Sequence, residues 1–308
     1  MNDPILDVRD LRAWYGAAQI LFDLNFHIAR GEVVALMGRN GAGKSTTIKS
    51  LMGLLAQRSG TVRFLGEDIS KLKPFEIARR GLAFVPEDRR IFSDLTVLEN
   101  LDIGRQPPRR HRDGRPAPSW TPEKLFAIFP NLGTMPDRRG AQMSGGEQQM
   151  LTVARTLMGN PLLVLLDEPS EGVAPVIVEE MANTIIQLKK EGLSVVLSEQ
   201  NIHFAELVCD RAYVLEKGQL QWDGPMADLA GNMDVQRRLL SVCATTELTT
   251  FVIYASKGRS PRCVSDMEDH DLVLFNRVEN RVSESTNVLA TNTSFFRLLS
   301  RIWIEQQL

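Results

Sequence analysis

The sequence has little cysteine, and its cysteines are not arranged for a cross-link or a metal. They are Cys209, Cys243 and Cys263, and they show neither the spacing of a metal site nor a disulfide framework. We therefore expect free thiols in a reducing cytoplasm, where structural disulfides are rare.

The sequence also lacks a long apolar stretch and a strong excess of either charge. The longest apolar runs, at residues 33–37 and 162–166, are far shorter than the about 20 residues that cross a bilayer. The opening Met-Asn-Asp-Pro has neither the basic start nor the apolar stretch of a secretory signal. A formal net charge of -2 argues against a nucleic-acid binder, which usually carries a basic excess.

What remains is an ordinary globular composition, with 43% apolar and 24% charged residues. A length of 308 residues suits one large domain, or one domain with an appendage. Runs rich in Val and Leu predict short strands at 33–38, 82–86, 162–167 and 194–199. They are apolar on both faces, as in a covered parallel sheet. Helical patterns separate them, which predicts an α/β core.

The patterns on either side of this core differ. Residues 6–28 predict two shorter strands around a turn at 15–16, and residues 213–224 predict a hairpin that turns at 217–218.

A loop at 105–120 interrupts the mainly helical segment between the strands that end at 86 and 167. It holds four prolines and several arginines. We regard it as too rich in Pro and charge to pack, and we expect it to be mobile. A solvated surface loop is favoured over an anion-binding one.

The composition changes after about residue 243, and residues 244–308 are rich in Ser, Thr and Asn. Helical spacing there, with Ser294 as a candidate cap, links Phe295, Leu298, Leu299, Ile302 and Trp303. We favour a helix docked on its own domain over a membrane-surface or partner helix, because only Arg297 and Arg301 supply positive charge.

A glycine-rich loop follows the first apolar strand. Residues 38–45 read Gly-Arg-Asn-Gly-Ala-Gly-Lys-Ser and fit the phosphate-loop pattern G-x-x-x-x-G-K-[ST], with a helical run at 46–55 after it. Glycines let backbone N–H groups approach phosphate oxygens, and the helix N-terminus adds a favourable field. Lys44 would hold the β- and γ-phosphates, and Ser45 would coordinate magnesium. A chance glycine-rich turn is the weaker alternative, because the strand and the helix are both in place.

The ATP-binding residues predicted in this segment are Gly38, Arg39, Asn40, Gly41, Ala42, Gly43, Lys44, Ser45 and Thr46.

Two adjacent acids end the most apolar strand. Asp167 and Glu168 follow five aliphatic residues, which predicts that they lie at the carboxyl edge of the sheet, where ligands bind in open α/β folds. Asp167 would hold magnesium, directly or through water, and Glu168 would take a proton from the attacking water or orient it. The alternative is that these acids cap the following helix.

A turn with the sequence Ser144-Gly145-Gly146-Glu147 opens a further helix. Ser144 and the exposed N–H groups after it form a candidate anion site. A plain N-cap explains the serine but not the two glycines, which make sense where a ligand comes close. The buried face predicted for this helix consists of Met150, Ala154, Leu157 and Met158.

Together the phosphate loop, the acidic strand end and the Ser144 turn resemble the ATP-binding subunit of an ABC transporter. The resemblance covers about residues 5–240. It implies an α/β P-loop NTPase core with an inserted helical subdomain, at about 88–158, and a small antiparallel β subdomain. The ATP-binding domain would span 1–243, and 244–308 would form a C-terminal extension of unknown role.

The resemblance also implies roles for single residues. Ser144 and the three residues after it would act on the γ-phosphate held by a second subunit, in a head-to-tail, two-fold dimer. Tyr15 occupies the place of an aromatic that stacks on adenine, although a core tyrosine is the alternative. Glu87 replaces the family's glutamine and can still reach magnesium or its water. Gln200 replaces the switch histidine and can hydrogen-bond a γ-phosphate without titrating. Ala174 stands where the family usually has aspartate.

These departures occur together with short stretches at 89–92, 147–149, 172–175 and 199–201. The set is similar to the smaller of the two ATPase subunits of bacterial branched-chain amino-acid importers. Urea and amide importers are close relatives of that subfamily.

The resemblance implies ATP and Mg²⁺ as cofactors and a peripheral position on the cytoplasmic face of the inner membrane. The implied partners are membrane-spanning permease subunits, a second ATPase subunit (a paralogue or the same chain) and, indirectly, a periplasmic or extracellular substrate-binding protein, without nucleic acid. One alternative is a regulatory module that binds ATP and barely hydrolyses it, which Gln200 and Ala174 support and Glu168 opposes. A soluble ABC ATPase of translation or DNA repair is the other alternative.

Overall fold

The computed structural model describes residues 4–110 and 114–240. In this part of the chain the strands are β1 (Leu6–Tyr15), β2 (Ala18–Ile28), β3 (Val33–Met37), β4 (Gln57–Phe64), β5 (Glu67–Asp68), β6 (Leu82–Val85), β7 (Leu163–Asp167), β8 (Ser194–Glu199), β9 (Arg211–Glu216) and β10 (Gln219–Pro225). They form a four-stranded sheet in the order β2-β1-β4-β5 and a six-stranded sheet in the order β10-β9-β3-β8-β7-β6.

The helices of the same part are α1 (Lys44–Leu51), α2 (Pro74–Arg79), α3 (Val97–Gly104), α4 (Pro122–Ile128), α5 (Pro130–Gly133), α6 (Gly145–Leu157), α7 (Pro175–Lys190), α8 (Ile202–Val208), α9 (Met226–Gly231) and α10 (Met233–Val235). A 3-10 turn at Gly140–Gln142 precedes α6, and a π-helical turn at Gln236–Leu240 follows α10. None of the helices in the described ranges is long and apolar enough to span a bilayer.

The larger sheet has a parallel centre. β3, β6, β7 and β8 pair in parallel, with β3 and β7 on either side of β8. Every residue of β3, β7 and β8 is buried, because helices cover one face of the sheet and α1 together with the smaller sheet covers the other. The α/β core and its four strands were therefore predicted correctly from the continuous apolar runs.

The smaller sheet is antiparallel and includes β1 and β2, which the sequence predicts as shorter strands. They are instead 10 and 11 residues long. Irregular register near Leu11 and positive φ angles at Asp10 and Asp23 interrupt the pairing without ending it. Such bulges break the alternation of apolar and polar residues on which strand length is judged.

The helical insertion lies between β6 and β7 in the chain and contains α3 to α6. The predicted apolar face of α6 is buried, at Met150, Ala154, Leu157 and Met158. Helix α3 packs so closely on α6 that a Cβ on Gly104 would lie 2.2 Å from the carbonyl oxygen of Arg155.

The loop at 105–120 packs more than its composition predicts, at the residues on either side of 111–113. Arg109 donates hydrogen bonds to the carbonyl oxygens of Asn160 at 2.8 Å and Arg79 at 2.5 Å. Ala117 and Trp120 are buried, and the main-chain N–H of Trp120 donates to Asn160 Oδ1 at 2.8 Å. The expectation that the loop cannot pack was wrong because the Arg109 guanidinium binds main-chain carbonyls instead of facing water. The helix predicted after Ser294 lies outside the described residues.

Candidate functional site

The phosphate loop joins β3 to α1 and rests against two neighbouring strands. Gly38 has φ 152°, and a Cβ there would lie 2.5 Å from the carbonyl oxygen of Leu215. Gly43 has φ 108°, and its Cβ would lie 2.9 Å from Leu21 Cδ2. Both glycines are therefore required by backbone conformation and by close packing.

The turn of the β9–β10 hairpin lies against the phosphate loop. The Gly218 N–H donates to the carbonyl oxygen of Ala42 at 2.9 Å, and a Cβ on Gly218 would collide with the carbonyl of Ile20. The first turn of α1 has Gly43 as its N-cap, and in the described chain no side chain caps it. Uncapped N–H groups at a helix N-terminus are the feature that an anionic phosphate satisfies.

Lys44 is buried at the centre of the site, with 3% of its surface exposed. Its Nζ donates to the carbonyl oxygens of Gly38 at 2.9 Å and Arg39 at 3.3 Å. It also forms an ion pair with Glu168 Oε1 at 3.0 Å. The loop cation and the acid that follows β7 are therefore brought into direct contact.

Asp167 ends β7 and Glu168 follows it at the carboxyl edge of the sheet, where Glu168 contacts Lys44. Helix α7 has Ala174 as its N-cap, without a side-chain hydrogen bond from the described residues. The alternative in which the two acids cap that helix was therefore wrong. Glu168 adopts a left-handed φ of 47°, which is uncommon for a residue with a side chain.

Gln200 bridges the phosphate loop and the segment that follows β7. Its Nε2 donates to Asn40 Oδ1 at 2.8 Å and to Glu168 Oε2 at 3.2 Å, and it lies 3.5 Å from Glu171 Oε2. The structure therefore brings together the sequence-predicted Asn40, Glu168 and Gln200. Glutamine makes these bonds through an amide that carries no proton to transfer at neutral pH.

Two buried polar residues of β8 were missed by sequence reasoning. The Ser198 hydroxyl donates to Asp167 Oδ1 at 2.7 Å. The Glu199 carboxylate accepts backbone N–H bonds from Ser170 at 3.1 Å and Gln200 at 3.1 Å. Burial raises the pKa of Glu199 and outweighs these hydrogen bonds, which act in the opposite direction. Polar residues inside an otherwise apolar strand were the signal that could have identified them.

A cavity of about 510 Å³ opens at this edge, a volume typical of a small-molecule site. Tyr15 lies on its rim with 49% of its surface exposed, so the alternative of a core tyrosine was wrong. Glu87 is exposed on the same rim. The other lining residues are Ile20, Asn40, Gly41, Gly43, Lys44, Ser45, Thr46, Glu168 and Glu171.

The donor set fits a magnesium nucleotide. Asp167 Oδ1 is held by Ser198, and among the described residues no donor binds its second carboxylate oxygen. The described chain holds no cluster of three or more His, Cys, Asp or Glu that could cage a metal. Magnesium suits such a place, because it is usually held by one or two carboxylates together with substrate phosphates and water.

The Ser144 turn stands apart from this cavity, as none of Ser144, Gly145, Gly146 and Glu147 is among its described lining residues. Ser144 is exposed. Its Oγ accepts the Glu147 N–H at 3.3 Å, and Glu147 Oε2 accepts the Ser144 N–H at 2.7 Å. This reciprocal pair is a capping box.

The two glycines of the turn have different neighbours. A Cβ on Gly146 would lie 2.6 Å from Ile177 Cγ1, so packing against α7 alone accounts for that glycine. A Cβ on Gly145 would meet the flexible end of Arg89 at 2.6 Å from Nη1. Gly146 is therefore explained without a ligand, and a ligand near this turn stays a prediction.

Comparisons with known proteins agree with this geometry. The family model "ABC transporter" matches residues 21–171. The chain is 41% identical over 232 residues to the high-affinity branched-chain amino acid transport ATP-binding protein BraG of Pseudomonas aeruginosa, covering 75% of this chain and 97% of that protein. It is 33% identical to the lipopolysaccharide export system ATP-binding protein LptB of Haemophilus influenzae, covering 76% of this chain and 95% of that one.

Among solved structures, the ADP conformation of MJ1267, an ATP-binding cassette of an ABC transporter, superposes with a TM-score of 0.63 at 27% identity. The superposition covers 76% of this chain and 97% of that chain.

Proposed function

This chain belongs to the ABC transporter ATP-binding family, and we propose that it powers an importer of branched-chain or other hydrophobic amino acids. By its family and fold, it is the ATP-hydrolysing subunit of a transporter. The observation that carries the reaction is the contact of Lys44 with Glu168 at the carboxyl edge of the sheet, at 3.0 Å.

Nucleotide binding is assigned to the phosphate loop. The uncapped first turn of α1 and the Lys44 ammonium supply positive field to the β- and γ-phosphates. Tyr15, on the rim, supplies a ring face for the adenine. Magnesium, held by Ser45 and Asp167 with Glu87 near its waters, would neutralise phosphate charge when bound.

Catalysis is assigned to Glu168 and Gln200. Glu168 accepts a proton from the attacking water or orients that water. Gln200 holds the second oxygen of the same carboxylate at 3.2 Å and reaches Asn40 of the phosphate loop. The regulatory-module alternative is disfavoured, because Glu168, the residue that opposes it, lies against Lys44 of the phosphate loop.

The Ser144 turn is assigned to a second subunit's ATP. It lies outside the cavity of its own chain, and its exposed position suits contact with another copy or with a paralogue. Two ATP molecules would then be held between two cassettes in a two-fold pair.

A permease would dock on an apolar groove between the sheet core and the helical insertion. The groove has a volume of about 560 Å³, and four large side chains stand exposed along it: Leu54, Phe75, Phe92 and Ile103. Exposed apolar side chains in such number mark an interaction surface. The segment 87–96, which includes Phe92, connects this groove to the nucleotide edge through Glu87.

The pairing is tested by magnesium-dependent ATP turnover of the full chain, measured against its own concentration. A rate per subunit that rises with concentration supports a site shared between two copies. A flat rate near zero means that a paralogous cassette or a permease is required. Turnover that is high and independent of dilution would contradict the shared site.

The substrate is tested by deleting the gene in its source organism and measuring uptake of leucine, isoleucine and valine. We expect uptake to fall, the intact gene to restore it, and Glu168→Gln not to restore it. Loss of urea or amide uptake instead would support the close alternative. The match to LptB makes lipopolysaccharide export a competing outcome, which surface lipopolysaccharide in the same strain detects.

A further inference from the structure

We propose that Ser198 is a positioning residue that sets the Asp167 carboxylate for the magnesium nucleotide. This inference rests on the proposed role of Asp167. Ser198 is on β8, directly opposite Asp167 of β7 in the parallel register. It is fully buried, with 0% of its surface exposed.

The hydroxyl of Ser198 has one partner in each direction. It accepts the Glu168 N–H at 3.0 Å and donates to Asp167 Oδ1 at 2.7 Å. Since the amide can only donate, the hydroxyl hydrogen is directed to the carboxylate. A single buried side chain therefore fixes both acids of the site.

A polar side chain at this depth needs a specific reason. The residues just before Ser198 are Val195, Val196 and Leu197, all fully buried. Burying a hydroxyl costs free energy unless its hydrogen bonds are made, and here both are made within the site.

The hydrogen bond also decides which carboxylate oxygen remains available. In the described part of the chain, Ser198 is the hydrogen-bond donor to Asp167. With Oδ1 committed, Oδ2 is the oxygen left to face a cation or its water. Partners of this kind orient metal-binding carboxylates, and their loss typically weakens metal affinity about 10- to 100-fold.

Loss of the hydroxyl should disturb the Asp167 carboxylate more than the main-chain conformation at Glu168. The Glu168 N–H also lies 3.2 Å from the main-chain oxygen of Ser198, an interaction that does not depend on the side chain. Ser198→Ala therefore retains one hydrogen bond at Glu168 and removes the one at Asp167.

The experiment titrates Mg²⁺ against the full chain and its Ser198→Ala variant, with two readouts. One is the Mg²⁺ concentration that gives half-maximal ATP turnover, and the other is binding of a fluorescent ATP analogue in Mg²⁺ and in EDTA. We expect the half-maximal Mg²⁺ concentration to rise about tenfold, the Mg²⁺-dependent gain in binding to shrink, and binding in EDTA to stay unchanged. An unchanged Mg²⁺ requirement would overturn the proposal.

Ser194→Ala is the matched control. Ser194 begins the same strand, is 1% exposed, and its hydroxyl accepts the Gly31 N–H at 2.8 Å, away from Asp167. It should lower thermal stability without shifting the Mg²⁺ requirement. An equal shift in both variants would mean that any lost hydroxyl in β8 has this effect, and would overturn the proposal.

Two further variants keep the outcome interpretable. If Ser198→Ala does not fold, Ser198→Cys takes its place, because a thiol is a weak donor. Asp167→Asn tests the premise: if it keeps the normal Mg²⁺ response, the role of Asp167 fails and this inference fails with it. If Asp167→Asn loses the response and Ser198→Ala does not, only the role of Ser198 fails.

Discussion

Two turns of this chain begin a helix next to glycine, and they differ in how the helix start is satisfied. At the phosphate loop, α1 begins after Gly43 without a side-chain cap in the described structure, and Lys44 is buried. At the Ser144 turn, α6 begins with a closed capping box, and Ser144 is exposed.

The difference shows which motif needs a ligand to explain it. In the described structure the start of α1 has no side-chain cap, so the N–H groups of its first turn are left for an anion, while Lys44 already pairs with Glu168. At the start of α6 the capping box satisfies the N–H groups of Ser144 and Glu147, and packing against Ile177 requires Gly146. A role for that turn in hydrolysis therefore needs a second chain, and mutation can separate the two turns.

The largest effect is expected from Glu168→Gln, on the phosphate-loop side. Turnover should fall about 10²- to 10⁴-fold, as when a general base is removed, while ATP binding persists and the paired state accumulates. Phosphate release measures turnover, and light scattering measures the paired state. Glu179→Gln, an exposed acid on α7, is the control, and unchanged turnover in Glu168→Gln would show that Glu168 is not the catalytic acid.

Ser144→Arg changes the other turn and should lower turnover about 10²-fold or more, as when a transition-state donor is lost. ATP binding to the isolated chain should remain, because the turn is outside that cavity. Ser119→Arg places the same side chain at another exposed serine and should leave turnover intact. Loss of ATP binding in the isolated Ser144→Arg subunit would contradict a site shared between chains.

Gly146→Ala tests whether packing alone explains that glycine. The added methyl should destabilise the fold by about 1–3 kcal/mol, because it meets Ile177. Gly145→Ala is the matched variant and should cost less, since Arg89 can move aside. Denaturant melts of both, and of Gly146→Ala combined with Ile177→Ala, measure the coupling. Equal costs at both glycines would count against the packing explanation.

The smallest effect is expected from Tyr15→Ala. Loss of ring stacking should raise the Kd for ATP about tenfold, from a contribution of about 1–3 kcal/mol per stacked base. Tyr15→Phe keeps the ring and should bind normally. If binding is equally tight in both variants, adenine does not stack at this position.

The sequence was sufficient to locate the elements that a local pattern of residues defines. Continuous apolar runs located β3, β6, β7 and β8, and the glycine spacing located the phosphate loop. The sequence was insufficient to predict residues whose packing or role depends on a partner that is distant in the chain. Arg109 packs because carbonyls of α2 and of the segment before β7 accept its hydrogen bonds, and Ser198 matters because β7 brings Asp167 opposite to it.

The capping box at Ser144 also reduces the chain entropy that would be lost when two subunits associate. A flexible loop would lose about 1–2 kcal/mol of backbone entropy per residue when a partner ordered it. This turn is already held by its own two hydrogen bonds at 2.7 and 3.3 Å. Binding of a second subunit would therefore order little additional backbone. Two such subunits could close and separate repeatedly with little loss of chain entropy in each cycle.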